Sequence, residues 1–365
     1  MRYPNDLPSP IQYLDASGAL RHDLPANIDT KKLIRFYQTL VLIRIFDQKA
    51  VALQRTGQIG TYASCVGQEA IGVGIGEALK PTDIFVPYYR DVATQYLRGV
   101  ALKETLLYWG GDERGNVYRG AAACDFPLCV PIATQVTHAA GIATAMKIRD
   151  QHDATLVTCG DGATSRGDFY ESLNLAGVWQ LPLVVVVNNN QWAISVPRTL
   201  QSAATTLADK AIAAGIEGIQ VDGNDVCAVF DVVSYALRKA RAGKGATLIE
   251  ALSYRLGDHT TADDATRYRP VEEVNAAWQR EPIRRLREYL HQQDHWNEAA
   301  EKKCLADCAD TVQAAVDGYL ATPPQAATDV LDYLFAELPM SLYGQRQQIL
   351  DKAERLSLGG AHGKP

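Results

Sequence analysis

The sequence predicts an α/β protein: a doubly wound, mainly parallel sheet flanked by helices, with an N-terminal arm and a helical C-terminal extension. Three observations lead there. Between about residues 60 and 260, short β-branched runs alternate with Ala-rich helical stretches. Two of these runs, Ala154–Cys159 and Leu183–Val187, flank a helix-length segment and so form a βαβ unit. Each then gives way to loop-forming residues, Gly160-Asp161-Gly162 after the first and Asn188-Asn189-Asn190 after the second.

The elements follow in order. Residues 1 to about 30 are rich in Pro, Asp and Asn and predict an extended arm. Residues 31–275 form the α/β domain, and 276–365 a helical extension with a flexible tail. A length of 365 residues fits about two domains, or one large domain with extensions, at roughly 150 residues each. Helical spacing runs through Leu33, Phe36, Leu40 and Ile43. Ile84–Val86 and Thr247–Leu252 are further strands. The helix after Gly162 carries Phe169, Leu173 and Ala176 on one face. From about 270, EEVNAAWQREPIRRLREYLHQQ and ADCADTVQAAVDGYL are charged and helical, and SLGGAHGKP is a frayed tail.

Composition narrows the function. Hydrophobic residues at 47% and charged residues at 21% exclude disorder. A net charge of -6 argues against nucleic-acid binding. No apolar run approaches the roughly 20 residues of a membrane span, and the N-terminus lacks a signal pattern, so a cytoplasmic protein is expected. Seven cysteines, an odd number scattered along the chain, fit reduced thiols.

The βαβ unit has a chemical consequence. Its right-handed crossover makes the two strands parallel, roughly 4.8 Å apart if they are neighbours. Asp161 and Asn190 then sit just past two strand ends on the sheet edge where α/β folds bind ligands. Their oxygens can converge on one hard cation. Mg²⁺ takes about six oxygens at roughly 2.1 Å, few of them carboxylates, and a diphosphate and water can complete the set. The glycines allow close approach of phosphate, and the following helix start offers N–H donors. Taken alone, a GDG or an Asn pair is an ordinary turn. The pair in a strand–helix–strand context, with 26 residues between Gly162 and Asn189, is far more specific.

These residues match the thiamine diphosphate signature. More widely, the chain resembles the alpha subunit of the E1 component of 2-oxo acid dehydrogenase complexes, of the pyruvate and branched-chain group. Four stretches carry the resemblance: GQIGTYASCVGQEA, VPYYRDVATQYLRGV, GDGATSRGDFYESLNLAGVWQLPLVVVVNNNQWAIS and SYRLGDHTTADDATRYRP. It covers roughly residues 30 to 345. It implies that Asp161 and Asn190 bind Mg²⁺ by side chain and Trp192 by its carbonyl. It further implies that Gly160, Gly162 and Ala163 cradle the diphosphate with backbone groups. Tyr89, Arg90 and Arg255 match diphosphate contacts, His259 an active-site histidine on a mobile loop, and Ile132 the aminopyrimidine contact. Independently, Tyr89 and Arg90 follow one expected strand, and Arg255 and His259 another, so all four open on the same edge. Singly, the arginines could be surface ion pairs and His259 a solvated loop residue.

The resemblance implies oxidative decarboxylation of a 2-oxo acid, with pyruvate first, and acyl transfer to the lipoyl group of an E2 acyltransferase. A branched-chain 2-oxo acid or acetoin is the alternative substrate. It also implies that the glutamate activating the cofactor belongs to a separate beta subunit, so an α₂β₂ heterotetramer is expected. Thr61 stands where an aromatic residue is frequent and Ala63 where some members have His. Thr260 replaces the phosphorylated Ser of eukaryotic members, so kinase control is not supported.

Other signals have plainer explanations. GVGIGEAL (72–79) lacks the glycine order and preceding strand of a nucleotide loop and fits close helix packing. His291, His295, Cys304 and Cys308 could form a zinc-binding interaction module, although their spacing is not that of a zinc knuckle. Cys124 and Cys129 fall in an expected loop around FPLC and fit packing better than redox chemistry. A self-contained thiamine enzyme of the transketolase or decarboxylase type needs a longer chain.

Overall fold

The computed structural model describes residues 10–359. They fall into two compact units, one ending at Tyr319 and one beginning at Leu320. The start of the expected arm and the end of the expected tail lie outside the described residues.

Among the described residues the first unit contains seven strands: β1 (Ile84–Val86), β2 (Thr155–Gly160), β3 (Leu183–Asn189), β4 (Trp192–Ala193), β5 (Val196–Pro197), β6 (Glu217–Asp222) and β7 (Thr247–Leu252). Five make one parallel sheet in the order β1-β2-β3-β7-β6, and β4 and β5 form a small antiparallel hairpin. β2 and β3 are hydrogen-bonded neighbours, as the βαβ reading requires. They end within one residue of each other: Gly160, the last residue of β2, lies opposite Asn188, and β3 runs on to Asn189.

β3 is buried along its whole length because helices cover both faces of the sheet. Successive side chains point to opposite sides. Val185 and Val187 pack on helices Thr134–Ile148 and Gly167–Val178, against Val136, Ala140, Phe169 and Leu173. Val184 and Val186 belong to the other layer with Ile71, Ile75, Val229 and Val233, from helices Glu69–Ala78 and Val226–Arg241. GVGIGEAL serves this packing. A Cβ added at Gly74 would lie 2.6 Å from Val229 Cγ1, so glycine sets how closely the two helices approach.

β6 is the strand that the sequence pattern does not reveal. The arm lies along its edge: Ile11 N–H donates to Gln220 O, and Asp222 N–H to Ile11 O, each at 3.0 Å. This covers an otherwise open strand edge. Asp225 anchors the arm. One carboxylate oxygen accepts the Tyr13 and Leu14 amides at 2.7 Å, and the other caps helix Val226–Arg241 through the Cys227 and Ala228 amides.

The expected charged helical region contains helices Val271–Trp278, Pro282–Gln292 and Glu298–Leu320. The first break falls at Glu281-Pro282, where Glu281 caps and proline takes the first helical turn. Leu286, Leu290, Cys304 and Val312 from the later helices join Phe36, Leu40, Ile43 and Phe46 of helix Thr30–Arg55 in one core. The second unit carries helices Asp329–Asp332 and Tyr343–Gly359, tied by an Arg346–Asp332 ion pair at 2.7 Å.

The zinc module is overturned. Its first helix ends at Gln292, so His291 and His295 share no helix face. His295 instead approaches Thr30 Oγ1 at 3.2 Å. Cys304 and Cys308 do share a face, but it points into the core. Among the described residues no group of three or more His, Cys, Asp or Glu could hold a metal. All seven cysteines are free. Among the described residues no helix is long and apolar enough to cross a membrane.

Asp225→Ala removes a helix cap and strands two arm amides. We expect a loss of roughly 2–4 kcal/mol, from a cap of about 1 and orphaned buried donors of about 1–3. Urea unfolding should show a lower midpoint, and limited proteolysis should cut faster between residues 10 and 24. An unchanged midpoint and cleavage rate would contradict this anchoring role.

Candidate functional site

The carboxyl ends of β1, β2, β3 and β7 lead into loops around one open cleft of about 770 Å³, including its mouth. Tyr89, Arg90, Ile132, Gly160, Asp161, Gly162, Ala163, Asn190, Trp192 and His259 line it. Arg255 does not; it lies beneath the surface, 1% exposed. Its guanidinium donates to Trp192 O at 3.1 Å, and to Ile194 O and Tyr268 Oη at 2.8 Å. It therefore ties down the hairpin that follows Asn190.

Asp161 begins a 3-10 turn, Asp161–Ser165, and the helix proper starts only at Gly167. This corrects the expected arrangement: the turn, not the helix start, supplies the N–H groups nearest the strand end. Thr164 Oγ1 donates to Asp161 O at 2.8 Å, and buried Lys210 donates to Thr164 O at 2.8 Å, so the turn is held from behind. Ala193 Cβ would stand 3.0 Å from a Cβ added at Gly162, so the turn and hairpin pack tightly here.

Asp161 is 1% exposed, and its Oδ2 has no hydrogen-bond partner among the described residues. Burial pushes its pKa up to about 6, against the pull of its own and the Gly162 amides and of Arg255 and Arg198. An orphaned buried carboxylate oxygen is costly unless something compensates it. Asn190 stands on the neighbouring strand end, with its Oδ1 accepting, among the described residues, only the Trp192 amide at 3.2 Å. A carboxylate oxygen and an amide oxygen suit a hard cation.

On the other wall, Arg90 Nη2 donates to His259 O at 2.7 Å and meets His259 Nδ1 at 3.0 Å. Arg255 Nη1 lies 3.5 Å from the same nitrogen. A guanidinium can only donate, so Nδ1 must accept and the ring proton sits on Nε2. Burial first, then Arg90 and Arg255, pull the His259 pKa down to about 4, with Asp263 opposing. The neutral imidazole thus presents a donor at Nε2, rather than titrating near neutrality. The Tyr89 ring stands edge-on to it, 6.2 Å between centroids.

Two structural carboxylates escaped the sequence reading. Buried Asp91 accepts from the Tyr88 amide at 2.9 Å and from Thr158 Oγ1, and burial raises its pKa to about 7. Its signal was its place beside Tyr89-Arg90. Glu250 accepts from Asn189 Nδ2 at 2.7 Å and from the Leu207 amide at 2.8 Å. A lone acid inside the apolar strand TLIEAL was the available clue.

Fold and cleft together define an α/β protein with an open cleft at the carboxyl edge of a parallel sheet, the edge where such folds bind ligands. Residues 37–327 match the family described as dehydrogenase E1 component. The chain is 40% identical to the alpha subunit of 3-methyl-2-oxobutanoate dehydrogenase of Mycobacterium tuberculosis, over 93% of each chain. It is 37% identical to the pyruvate dehydrogenase E1 component alpha subunits of Staphylococcus aureus and Staphylococcus epidermidis, over 94% of each chain. The chain belongs to the dehydrogenase E1 component family, as a 2-oxo acid dehydrogenase E1 alpha subunit. Membership implies thiamine diphosphate as the cofactor, and a beta subunit and an E2 component as partners.

The His259 geometry sets a pH dependence. Its folded pKa lies below the ordinary 6.5, so the unfolded chain binds the proton first. The stability that His259 contributes is present above pH 6.5 and is lost as pH falls through about 4. NMR titration of the ligand-free chain, assigned with His259→Asn, should place this ring near 4, and Arg90→Met should raise it. A value at or above 6.5 would contradict the described contacts.

Proposed function

We propose that this chain is the thiamine diphosphate-binding half of a 2-oxo acid dehydrogenase E1 active site, completed by a beta subunit. The observation that carries this is the orphaned Asp161 Oδ2, buried beside Asn190 at the ends of two adjacent parallel strands. Mg²⁺ bound there by Asp161, Asn190 and the Trp192 carbonyl would compensate the carboxylate. The diphosphate would lie against the Gly160–Ala163 turn, with Tyr89 and Arg90 opposite and Ile132 toward the aminopyrimidine ring. Arg255 acts from beneath by holding the Trp192 carbonyl in place.

Thiamine diphosphate, when bound, supplies the electron sink that lets the carboxylate of a 2-oxo acid depart as CO₂. His259 holds a proton at Nε2 and can donate a hydrogen bond to a substrate oxygen while neutral. A diphosphate nearby would raise its pKa toward the range of proton transfer. The acyl group would pass to the lipoyl group of an E2 acyltransferase. The cleft is open, and its apolar rim residues Val130, Ile132 and Ile194 are about half exposed, which supports a partner chain closing it. An α₂β₂ heterotetramer in the cytoplasm follows from this reading.

Pyruvate is the substrate proposed first, from the likeness of the GTYA, GDFYE and NNxxAIS runs to bacterial pyruvate-type subunits. The 40% identity to a 3-methyl-2-oxobutanoate dehydrogenase alpha subunit favours the branched acid as the second reading. Dye-reduction assays with thiamine diphosphate and Mg²⁺ test both. The chain co-expressed with its beta subunit should be active, and the chain alone inactive. Asp161→Ala should lose more than about 100-fold, since even partners of metal ligands are worth 10- to 100-fold. A higher kcat/KM for pyruvate supports the first substrate, and for 3-methyl-2-oxobutanoate the second. Full activity of the chain alone would contradict the half-site proposal.

A further inference from the structure

An asparagine side chain can occupy the same space in two ways, with oxygen and nitrogen exchanged. Only one of them offers oxygen to a cation. The surroundings of Asn190 select it from two sides. Its Oδ1 accepts the main-chain amide of Trp192 at 3.2 Å, and its Nδ2 donates to Gln68 Oε1 at 3.0 Å. The Trp192 donor cannot be exchanged, so a flipped Asn190 would set two donors against each other. Gln68 must then present its oxygen to Nδ2.

The Gln68 orientation is itself supported. Ser253 Oγ donates to Asn188 Oδ1 at 2.8 Å, which leaves Asn188 Nδ2 to donate to Tyr88 Oη at 2.7 Å. With an acceptor position filled, the Tyr88 hydroxyl directs its proton to Gln68 Oε1, at 3.4 Å. Two donors therefore converge on the Gln68 oxygen. Gln68 is 3% exposed, and its Nε2 has no partner among the described residues. It sits at the N-cap of helix Glu69–Ala78 but makes no side-chain capping bond. Neither capping nor full hydrogen bonding explains a buried amide here, whereas orienting Asn190 does.

We propose that Gln68 is a positioning residue that turns the Asn190 amide oxygen toward the cation. The inference rests on the proposal that Asp161 and Asn190 hold that cation. Outer partners of metal ligands are typically worth 10- to 100-fold in metal affinity.

The test measures Mn²⁺ binding by electron paramagnetic resonance, with thiamine diphosphate present, on the full chain assembled with its beta subunit. Gln68→Met should weaken Mn²⁺ binding about 10-fold while the thermal midpoint stays near that of the parent. Gln68→Glu keeps an acceptor and should remain within about 3-fold of it. Gln68→Asn withdraws the acceptor by one methylene and should lose as much as Gln68→Met, which covers the case where methionine does not fold. In an Asn190→Ala background, where no amide remains to orient, Gln68→Met should add nothing. Unchanged Mn²⁺ affinity in Gln68→Met and Gln68→Asn would overturn the inference, as would losses that multiply in the double variant. If Asp161→Ala and Asn190→Ala leave Mn²⁺ binding intact, the cation site itself fails. If those two weaken binding and the Gln68 variants do not alter it, only the role of Gln68 fails.

Discussion

Everything at the cleft depends on two parallel strands lying side by side and ending within one residue of each other. Because Gly160 at the end of β2 lies opposite Asn188 and β3 ends one residue later, Asp161 and Asn190 each follow directly on a strand end at the same sheet edge. A buried acid and a buried amide are thereby brought together without either belonging to a flexible loop. β1 and β7 lie on either side of this pair and deliver Tyr89, Arg90 and the His259 loop to the same edge. Closely packed helices on both faces keep the register, since a slip by one residue would exchange the two buried faces of β3.

The electrostatics of the two walls differ. One wall holds a carboxylate whose burial opposes its charge, so it favours a cation. The other holds Arg90, which with Arg255 behind it keeps a histidine neutral, so it favours an anion. The proposed cation–diphosphate pair would answer both demands at once. Much of the supporting hydrogen bonding comes from groups that never reach the cleft, among them Arg255, Asp91 and Lys210. Their work is to fix the turns from which the lining residues project.

The core strands were legible because they are short, β-branched and buried on both faces; β7 runs over Thr247–Leu252 as its apolar pattern indicates. Loop chemistry marked the ends of β2 and β3, and with it Asp161 and Asn190. β6 was not legible. Its EGIQVD pattern is only partly buried, being near the sheet edge, and its partner on that edge is the arm from over 200 positions away. Depth was also hidden: Arg255 and Gln68 sit one layer behind the cleft, a distinction that spacing along a chain does not encode. The lowered His259 pKa was hidden for the same reason, since Arg90 and Arg255, which with burial depress it, come from different strand ends. His291 and His295 had helical spacing, but the helix stops between them.

The central claim is that Asp161 and Asn190 share one cation at the ends of β2 and β3. Anomalous diffraction from crystals of the alpha–beta assembly grown with Mn²⁺ and thiamine diphosphate tests it most directly. The account predicts one strong peak roughly 2.1–2.2 Å from both Asp161 Oδ2 and Asn190 Oδ1, in the coordination range of a small hard cation. Bound cofactor with no peak there, or a peak held by other residues, would contradict it.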